Sequence, residues 1–402
     1  MRTPSVSAVE TSNLNAAGSL HVLTLTPFYP SEADDANGCF VSEPLEWLAK
    51  LGVRSSVIAV QPFYRGTPRS GGFAVRGEWL RYFSLPGGYG LPAAGAFVFA
   101  RTVSRLRRLH RAQPIDLIHA HGPLPCGHAA MLLSHELSIP YVISVHGLDA
   151  FSTVQVGGRS GEWCRRISRR AYGSSSRVIC VSERVREAVR EGMDRNSHVS
   201  VVYNGVDIER FSTAPVPSDA ASKILSVGNL IPIKGHEHLI RAVASLVNEF
   251  PELELDIIGS GSEGESLQRL VANLQLTNKI HFHGRQPRAQ VVKAMQHCTL
   301  FALPSRYEAL GCVYLEAMAC GKPAIGCRGQ GIDEIIEHGI NGCLVDSNAE
   351  SEKELSVVLR TLLREPTRRT HMGKAARDTI TKRLTLKHQA ANLLRIYSEC
   401  VQ

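Results

Sequence analysis

The feature that most restricts this chain is an alternation that occurs twice. Short apolar, β-branched runs are separated by longer amphipathic stretches. The first series has runs at 20–26, 53–60, 116–121, 141–146, 177–181 and 199–203, and the second at 223–227, 252–258, 279–283, 300–304, 323–327 and 342–345. Helical patterns sit between several of them, as at 126–137 and 183–193. Strands alternating with helices predict βαβ units and parallel sheets covered on both faces. Two such series predict an α/β protein of two Rossmann-like domains. Between them, Ser212-Thr213-Ala214-Pro215-Val216-Pro217-Ser218 has the small residues and prolines of a linker. The expected organisation is therefore a first domain over 20–211, a linker over 212–221 and a second domain over 222–384. From Ala349 onward the pattern is helical only, and 385–402 is expected as a helix returning to the first domain.

The 402 residues fit two or three domains of about 100–200 residues each. Hydrophobic residues make up 44% and charged residues 20%, which suits a chain that buries a core. The longest mostly apolar stretch, Leu85 to Ala100, contains Pro86, Pro92 and four glycines, so it does not read as a membrane span. Residues 1–19 lack a continuous apolar segment and are interrupted by Glu10; they read as a frayed tail rather than a secretory signal. Ten cysteines form no C-x-x-C pair and no zinc or disulfide spacing, which suggests a reducing cytoplasm and inert thiols.

Charge is uneven along the chain. Net charge is +8, and residues 51–182 hold 16 arginines against 5 acids. Lys50 is the only lysine before residue 216. Arginine in such excess favours anionic partners held by forked contacts. On a helical projection of 97–111, Phe99, Val103, Leu106 and His110 share one face, while Arg101, Arg105, Arg107, Arg108 and Arg111 take the other. Arg165, Arg166, Arg169 and Arg170 lie near Trp163. A basic face with aromatic neighbours fits docking on anionic lipid, and a solvated arginine face fits equally well. Nucleic acid is not expected, because no recognition motif accompanies the charge.

Gly259-Ser260-Gly261-Ser262-Glu263-Gly264 fits G-x-G-x-x-G after a strand. A dinucleotide site would place an acid at the end of the next strand, and that strand ends His281-Phe282-His283-Gly284. The glycines then read as a tight turn bordering a nucleotide site, or as structural. The pairs His119/His121, His236/His238 and His281/His283 lack the three or four ligands zinc needs, so they read as packing groups and no metal site is expected. The strongest signal is at 305–323. Glu308 and Glu316 stand eight apart, Gly311 opens a helix-forming run, and Gly321-Lys322-Pro323 closes it. Backbone N–H groups of Ala309 to Cys312 would face a phosphate or hydroxyl at the helix start, with both glutamates accepting sugar hydroxyls.

The Glu308…Glu316 spacing resembles the E-x7-E signature of retaining glycosyltransferases of family 4, with the GT-B fold. Gly228-Asn229-Leu230 with Lys234-Gly235, Ile257-Ile258-Gly259-Ser260-Gly261, Val202 to Asp207 and His146-Gly147-Leu148-Asp149 are similar to further elements of that family, in order. The resemblance spans roughly residues 20–385. It implies two Rossmann-like domains facing across a central cleft, with the nucleotide-sugar donor on the second and the acceptor on the first.

By the same resemblance, Lys234 would offset the diphosphate charge, with Asn229 where the family usually has arginine. Gly228, Gly259 and Gly261 would border the donor. Glu308, with the backbone of Ala309, Leu310 and Gly311, would hold the transferred sugar, and Glu316 the ribose. Gly38 would let a loop approach the diphosphate, and His146 would hydrogen-bond the sugar. The expected activity is hexosyl transfer with retention, from a UDP-sugar by preference, to a glycan or lipid-linked acceptor in cell-surface polysaccharide synthesis. No metal and no cofactor beyond the nucleotide sugar is expected. Arg101, Arg105, Arg108, Arg165, Arg166 and Arg169 would face acceptor or membrane, on a cytoplasmic enzyme peripheral to the bilayer. The alternatives are a nucleotide-sugar epimerase or hydrolase, or a non-catalytic sugar-nucleotide-binding subunit.

Overall fold

A computed structural model describes residues 20–66, 68, 74–151, 156–193, 198–214, 222–347 and 351–402. The tail expected at 1–19 and most of the linker expected at 212–221 lie outside the described residues. The chain divides into two compact units. The first holds residues up to Val181, then Val185–Val202 and Gln389–Gln402; the second holds Ser182–Arg184 and Tyr203–His388.

Along the first part of the chain run β1 (His21–Thr26), α1 (Cys39–Lys50), β2 (Arg54–Pro62), β3 (Gly77–Tyr82), α2 (Leu91–Ala112), β4 (Leu117–His121), α3 (His128–Leu137), β5 (Tyr141–Val145), α4 (Gly158–Ser174), β6 (Arg177–Cys180), α5 (Glu183–Glu191) and β7 (Val199–Val201). The strands form one parallel sheet in the order β3-β2-β1-β4-β5-β6-β7. Every residue of β1, β4 and β5 is buried, as expected where helices cover both faces of a parallel sheet.

The second part contributes β8 (Lys223–Val227), α6 (His236–Ala244), β9 (Glu254–Ile258), α7 (Gly264–Asn273), β10 (Ile280–Phe282), α8 (Arg288–His297), β11 (Leu300–Ala302), α9 (Cys312–Ala319), β12 (Ala324–Cys327), β13 (Gly342–Val345), α10 (Ser351–Arg364), α11 (Pro366–Arg383) and α12 (Leu386–Val401). Its sheet is also parallel, in the order β10-β9-β8-β11-β12-β13. Both sheets reverse direction of growth once, beside β1 in the first unit and beside β8 in the second. Each unit thus has the doubly wound order in which ligands sit at the carboxyl ends of the strands, next to the reversal.

Two features differ from the sequence expectation. The division falls at Tyr203 rather than at 212. Val206 pairs with the chain at 384–386 (Val206 N–H to Leu384 O, 2.9 Å), and the buried Phe211 lies under the Arg288 guanidinium. Arg377 also donates to the carbonyls of Phe211 and Ile208. These contacts hold 203–211 to the second unit. Strand β3 answers to no expected run: it is an edge strand whose Glu78 and Arg81 are exposed, so its apolar period is broken. The final helix joins the first unit, where Ala390, Leu393, Ile396 and Tyr397 lie in one core with Val22, Leu45, Leu48 and Leu117. The second unit's core is built on Ile224, Leu255, Ile257, Leu300 and Ile325, covered by Leu239, Val243, Leu267 and Leu359.

Candidate active site

In the second unit the two strands that flank the reversal, β8 and β11, both end in loops that carry charge. After β8 the chain runs Gly228-Asn229-Leu230-Ile231 into a short 3-10 turn, Pro232–Lys234, and then α6. Gly235 takes φ +69° here, and a methyl on it would overlap the Pro304 carbonyl, so the turn and the end of β11 need glycine to pack. After β11, Ser305 to Gly311 lead into α9. Lys234 Nζ meets Glu308 Oε1 at 2.5 Å, with both side chains largely buried. Ser305 Oγ donates to the same carboxylate oxygen at 3.1 Å. The Glu308 N–H donates to Gln330 Oε1 at 3.1 Å, and the Gly331 N–H donates to the Glu308 carbonyl at 3.0 Å. Glu308 is therefore held at its side chain, its N–H and its carbonyl.

Helix α9 begins directly beyond. Its Gly311 N-cap has φ +86°, and the Tyr314 N–H turns back to the Gly311 carbonyl at 3.1 Å, with the N–H groups of Cys312 and Val313 ahead of it at the helix mouth. The positive end of the helix therefore opens beside Glu308 and Lys234. At its first residue, Asn204 Nδ2 donates to Cys312 Sγ at 3.2 Å. Burial, with Glu316 adding to it, pushes the Cys312 thiol up to about 12, so it stays protonated and is no nucleophile. Glu316 lies further along α9, 4% exposed. Its Oε1 accepts from Arg288 Nη1 at 2.8 Å, and the Arg288 guanidinium stacks 5.1 Å from the Phe211 ring centre. No reading of the sequence singled out Arg288. The available signal was Pro287 before it, which marks a helix start.

Lys234, Glu308 and the Ala309–Gly311 backbone are thus brought together, and Glu316 joins through the same helix. Gly259 and Gly261 have a packing reason of their own. A methyl on Gly259 would overlap the Gly228 carbonyl, and one on Gly261 the Leu230 carbonyl. The Leu230 N–H donates to Ser260 O at 3.0 Å. The β9–α7 turn thus braces the β8–α6 loop, which accounts for its glycines without a dinucleotide. His236 is buried with its Nδ1 3.3 Å from Ser226 Oγ, and burial lowers it to about 4.

In the first unit, His146 follows β5 and His121 ends β4. His121 Nδ1 and His146 Nε2 are 2.9 Å apart, with the rings stacked. Phe40 and Phe28 lie against the His146 ring at 4.7 and 6.0 Å between centres. The His146 N–H donates to Asp149 Oδ1 at 3.0 Å, while its Nδ1 finds no hydrogen-bond partner. Behind them His119 is held by Ser144 Oγ and Tyr397 OH, each at 2.7 Å. Burial lowers His119 to about 3 and His146 to about 4, and holds His121 well below its ordinary value, so all three are neutral at pH 7. His119 and His121 stack on each other, 4.3 Å between ring centres, as packing groups. Gly38 has φ +78°, and a methyl there would overlap the Phe28 backbone; tight packing on Phe28–Tyr29 explains that glycine.

Arg101, Arg105 and Arg108 on α2 and Arg165, Arg166 and Arg169 on α4 are exposed, but three of these six have local partners. Arg105 pairs with Glu78, Arg166 with Glu162 at 3.4 Å, and Arg169 Nε donates to Gly192 O at 2.6 Å. Arg101, Arg108 and Arg165 have no ion pair among the described residues. No group of three or more histidine, cysteine, aspartate or glutamate side chains suited to a metal occurs among the described residues.

Sequence comparison then decides the family. Residues 40–210 match the family described as Glycosyltransferase Family 4, and residues 207–379 match Glycosyl transferases group 1. The chain belongs to the group 1, family 4 glycosyltransferases. Its two parallel-sheet units are those of the GT-B fold. This glycosyltransferase is 28% identical to the D-inositol 3-phosphate glycosyltransferase of Corynebacterium urealyticum, covering 92% of this chain and 93% of that one. It is 26% identical to the alpha-maltose-1-phosphate synthase of Mycolicibacterium smegmatis, over 94% and 99% of the two chains. Anabaena HepE in complex with UDP superposes with a TM-score of 0.72 at 20% identity, over 94% of this chain and all of that one. Sucrose-phosphate synthase from Thermosynechococcus elongatus superposes with a TM-score of 0.74 at 19% identity, over 94% and 98%.

Proposed function

We propose that this glycosyltransferase moves a hexosyl group from a nucleoside-diphosphate sugar, UDP-linked first, to a glycan or lipid-linked acceptor, with retention of anomeric configuration. The observation that carries the proposal is the Lys234–Glu308 pair at the reversal of the second sheet, beside the open start of α9. A sugar diphosphate brings negative charge next to hydroxyls. Lys234 and the first-turn N–H groups suit the phosphates; Glu308 suits the sugar hydroxyls; Glu316, steadied by Arg288, suits the vicinal hydroxyls of a ribose. The UDP in the complex of the fold neighbour HepE supports a uridine donor.

Transfer breaks the bond from C1 to the leaving phosphate oxygen and forms one from C1 to the acceptor oxygen. Negative charge grows on the departing diphosphate, where a fixed cation and fixed N–H dipoles lower the barrier without reorganising. The acceptor attacks from the face the diphosphate leaves, and its proton passes to a β-phosphate oxygen. That route uses no protein nucleophile, in keeping with the protonated Cys312, and no resident metal. His146, whose Nδ1 is unspent, is assigned to the transferred sugar. Asn229 offers an amide where the family pattern has a guanidinium, so Lys234 carries more of the phosphate charge. The enzyme works at the cytoplasmic face of the membrane in polysaccharide assembly.

Thermal shift across UDP-, GDP-, ADP- and dTDP-sugars identifies the donor. Incubation of the stabilising donor with and without acceptor, with and without EDTA, follows. NMR of the product should show the donor's anomeric configuration kept, and EDTA should leave the rate unchanged. Inversion would refute the same-face route, and donor consumed without acceptor would point to an epimerase or hydrolase.

A further inference from the structure

At the carboxyl ends of β2 and β3, a row of aromatic rings faces water. Phe63 and Tyr64 follow β2, Phe83 follows β3, and Phe97 stands on α2. Phe63 stacks on Phe83 at 5.4 Å, Phe83 meets Phe97 edge-on at 5.2 Å, and Tyr64 meets Phe63 at 5.9 Å. The four residues are 43%, 44%, 51% and 40% exposed in the order Phe63, Tyr64, Phe83, Phe97, and Leu85 and Tyr89 nearby are more than half exposed. The row is held in place rather than loose. The Phe63 N–H donates to Tyr82 O at 2.9 Å, and Arg81 donates to the Phe63 carbonyl. Single exposed apolar residues are ordinary, but a fixed, contiguous aromatic strip marks an interaction surface.

Its surroundings say what it meets. From Phe97 the exposed face of α2 continues as Arg101, Arg105 and Arg108, spaced four, four and three residues apart and so on one stripe. Between Arg54 and Ile115 the sequence has ten arginines and one acid, Glu78, which Arg105 already pairs. No helix of the described residues is long and apolar enough to cross a membrane. Aromatic rings that enter the headgroup layer beside unpaired arginines are the chemistry of an anionic lipid surface. We infer that the Phe63–Phe83–Phe97 row and the adjoining α2 arginines form a docking surface for an anionic phospholipid bilayer, with the rings inserted and Arg101 and Arg108 on the headgroups. This deepens the proposed function, since it rests on an acceptor presented at a membrane.

The test is flotation of the full chain with vesicles of phosphatidylcholine alone or with added phosphatidylglycerol, at low and high salt. The wild type should float with the anionic vesicles only. Arg101→Gln with Arg108→Gln should weaken low-salt binding about fivefold for each arginine removed. Phe63→Ser with Phe83→Ser should remove the part of the binding that survives high salt. Circular dichroism and the UDP-sugar thermal shift should be unchanged in both, since neither pair touches the second unit's site. A wild type that stays unbound at low salt, or a serine pair that floats like the wild type, overturns the inference. So does a dimer in sedimentation velocity that the serine pair abolishes, which would assign the row to a second copy of the chain. Flotation without any nucleotide-sugar shift would uphold the surface and reject the donor reading, and the reverse result would separate them the other way.

Discussion

At the residue scale, the donor-side chemistry rests on two buried ion pairs, and they are not equivalent. Lys234 faces the open start of α9 as well as Glu308, so removing it costs both charge on the phosphates and the partner of a carboxylate. Lys234→Met should lower kcat/KM about a hundredfold, comparable to deleting one stabilising donor, measured with saturating acceptor. Arg288 acts through Glu316. Arg288→Leu removes the guanidinium from that buried carboxylate and should cost about 3 kcal/mol in urea unfolding, with a higher KM for the donor. Pairing it with Glu316→Gln should recover stability but not KM. The three histidines of the first unit make a third prediction. Burial depresses their pKa values below the unfolded value of about 6.5. Their contribution is complete above that value and is lost as pH falls from it toward about 4, because the unfolded chain then binds protons the folded one refuses. Asp149, raised to about 6 by burial, has the opposite sign, but it is one group against three. Unfolding free energy should fall between pH 7 and pH 5, by up to about 1.4 kcal/mol per pH unit for each net proton. A flat profile over that range would count against neutral burial.

At the scale of elements, the donor loop is shaped by glycines that permit backbone to touch backbone. A methyl on Gly331 would overlap the Ala309 carbonyl, next to the N–H groups at the mouth of α9. Gly331→Ala should therefore weaken nucleotide-sugar binding at least as much as it lowers the melting temperature, a pair of measurements from one thermal-shift series. The strands were largely legible because parallel strands buried on both faces are continuous apolar runs, as in β1, β4 and β5. β3 was not, because one edge lies open and its exposed positions carry Glu78 and Arg81. Glu308 and Glu316 stood out by spacing within one helix entry. Arg288 did not, because it reaches Glu316 from a different helix, and such pairings follow from packing rather than from local pattern. The glycines of the β9–α7 turn show the same limit: their motif reads as a nucleotide loop, while their contacts are with the neighbouring loop.

For the whole molecule, sequence order and compactness part ways at the end of the chain. Residues Gln389–Gln402 belong to the first unit, and Tyr397 supplies a hydrogen bond to the buried His119. A chain ending at His388 should lose the first unit's cooperative unfolding while the second unit still melts and still shifts with its nucleotide sugar. Differential scanning calorimetry with and without ligand separates the two transitions. The composition of 212–218 reads as a linker, but most of that stretch lies outside the described residues, and the change of unit falls earlier, at Tyr203, where Val206 meets the distant segment 384–386.

That last helix also sets the timing of birth. A ribosome delivers the first unit's sheet early, yet the side chains of Leu393, Ile396 and Tyr397 that complete its interior are made only after the whole of the second unit. Vectorial synthesis therefore leaves the amino-terminal half with an open core until the helix 386–401 has emerged, whereas the second unit can close before it. Chaperone engagement should concentrate on the half that was translated first.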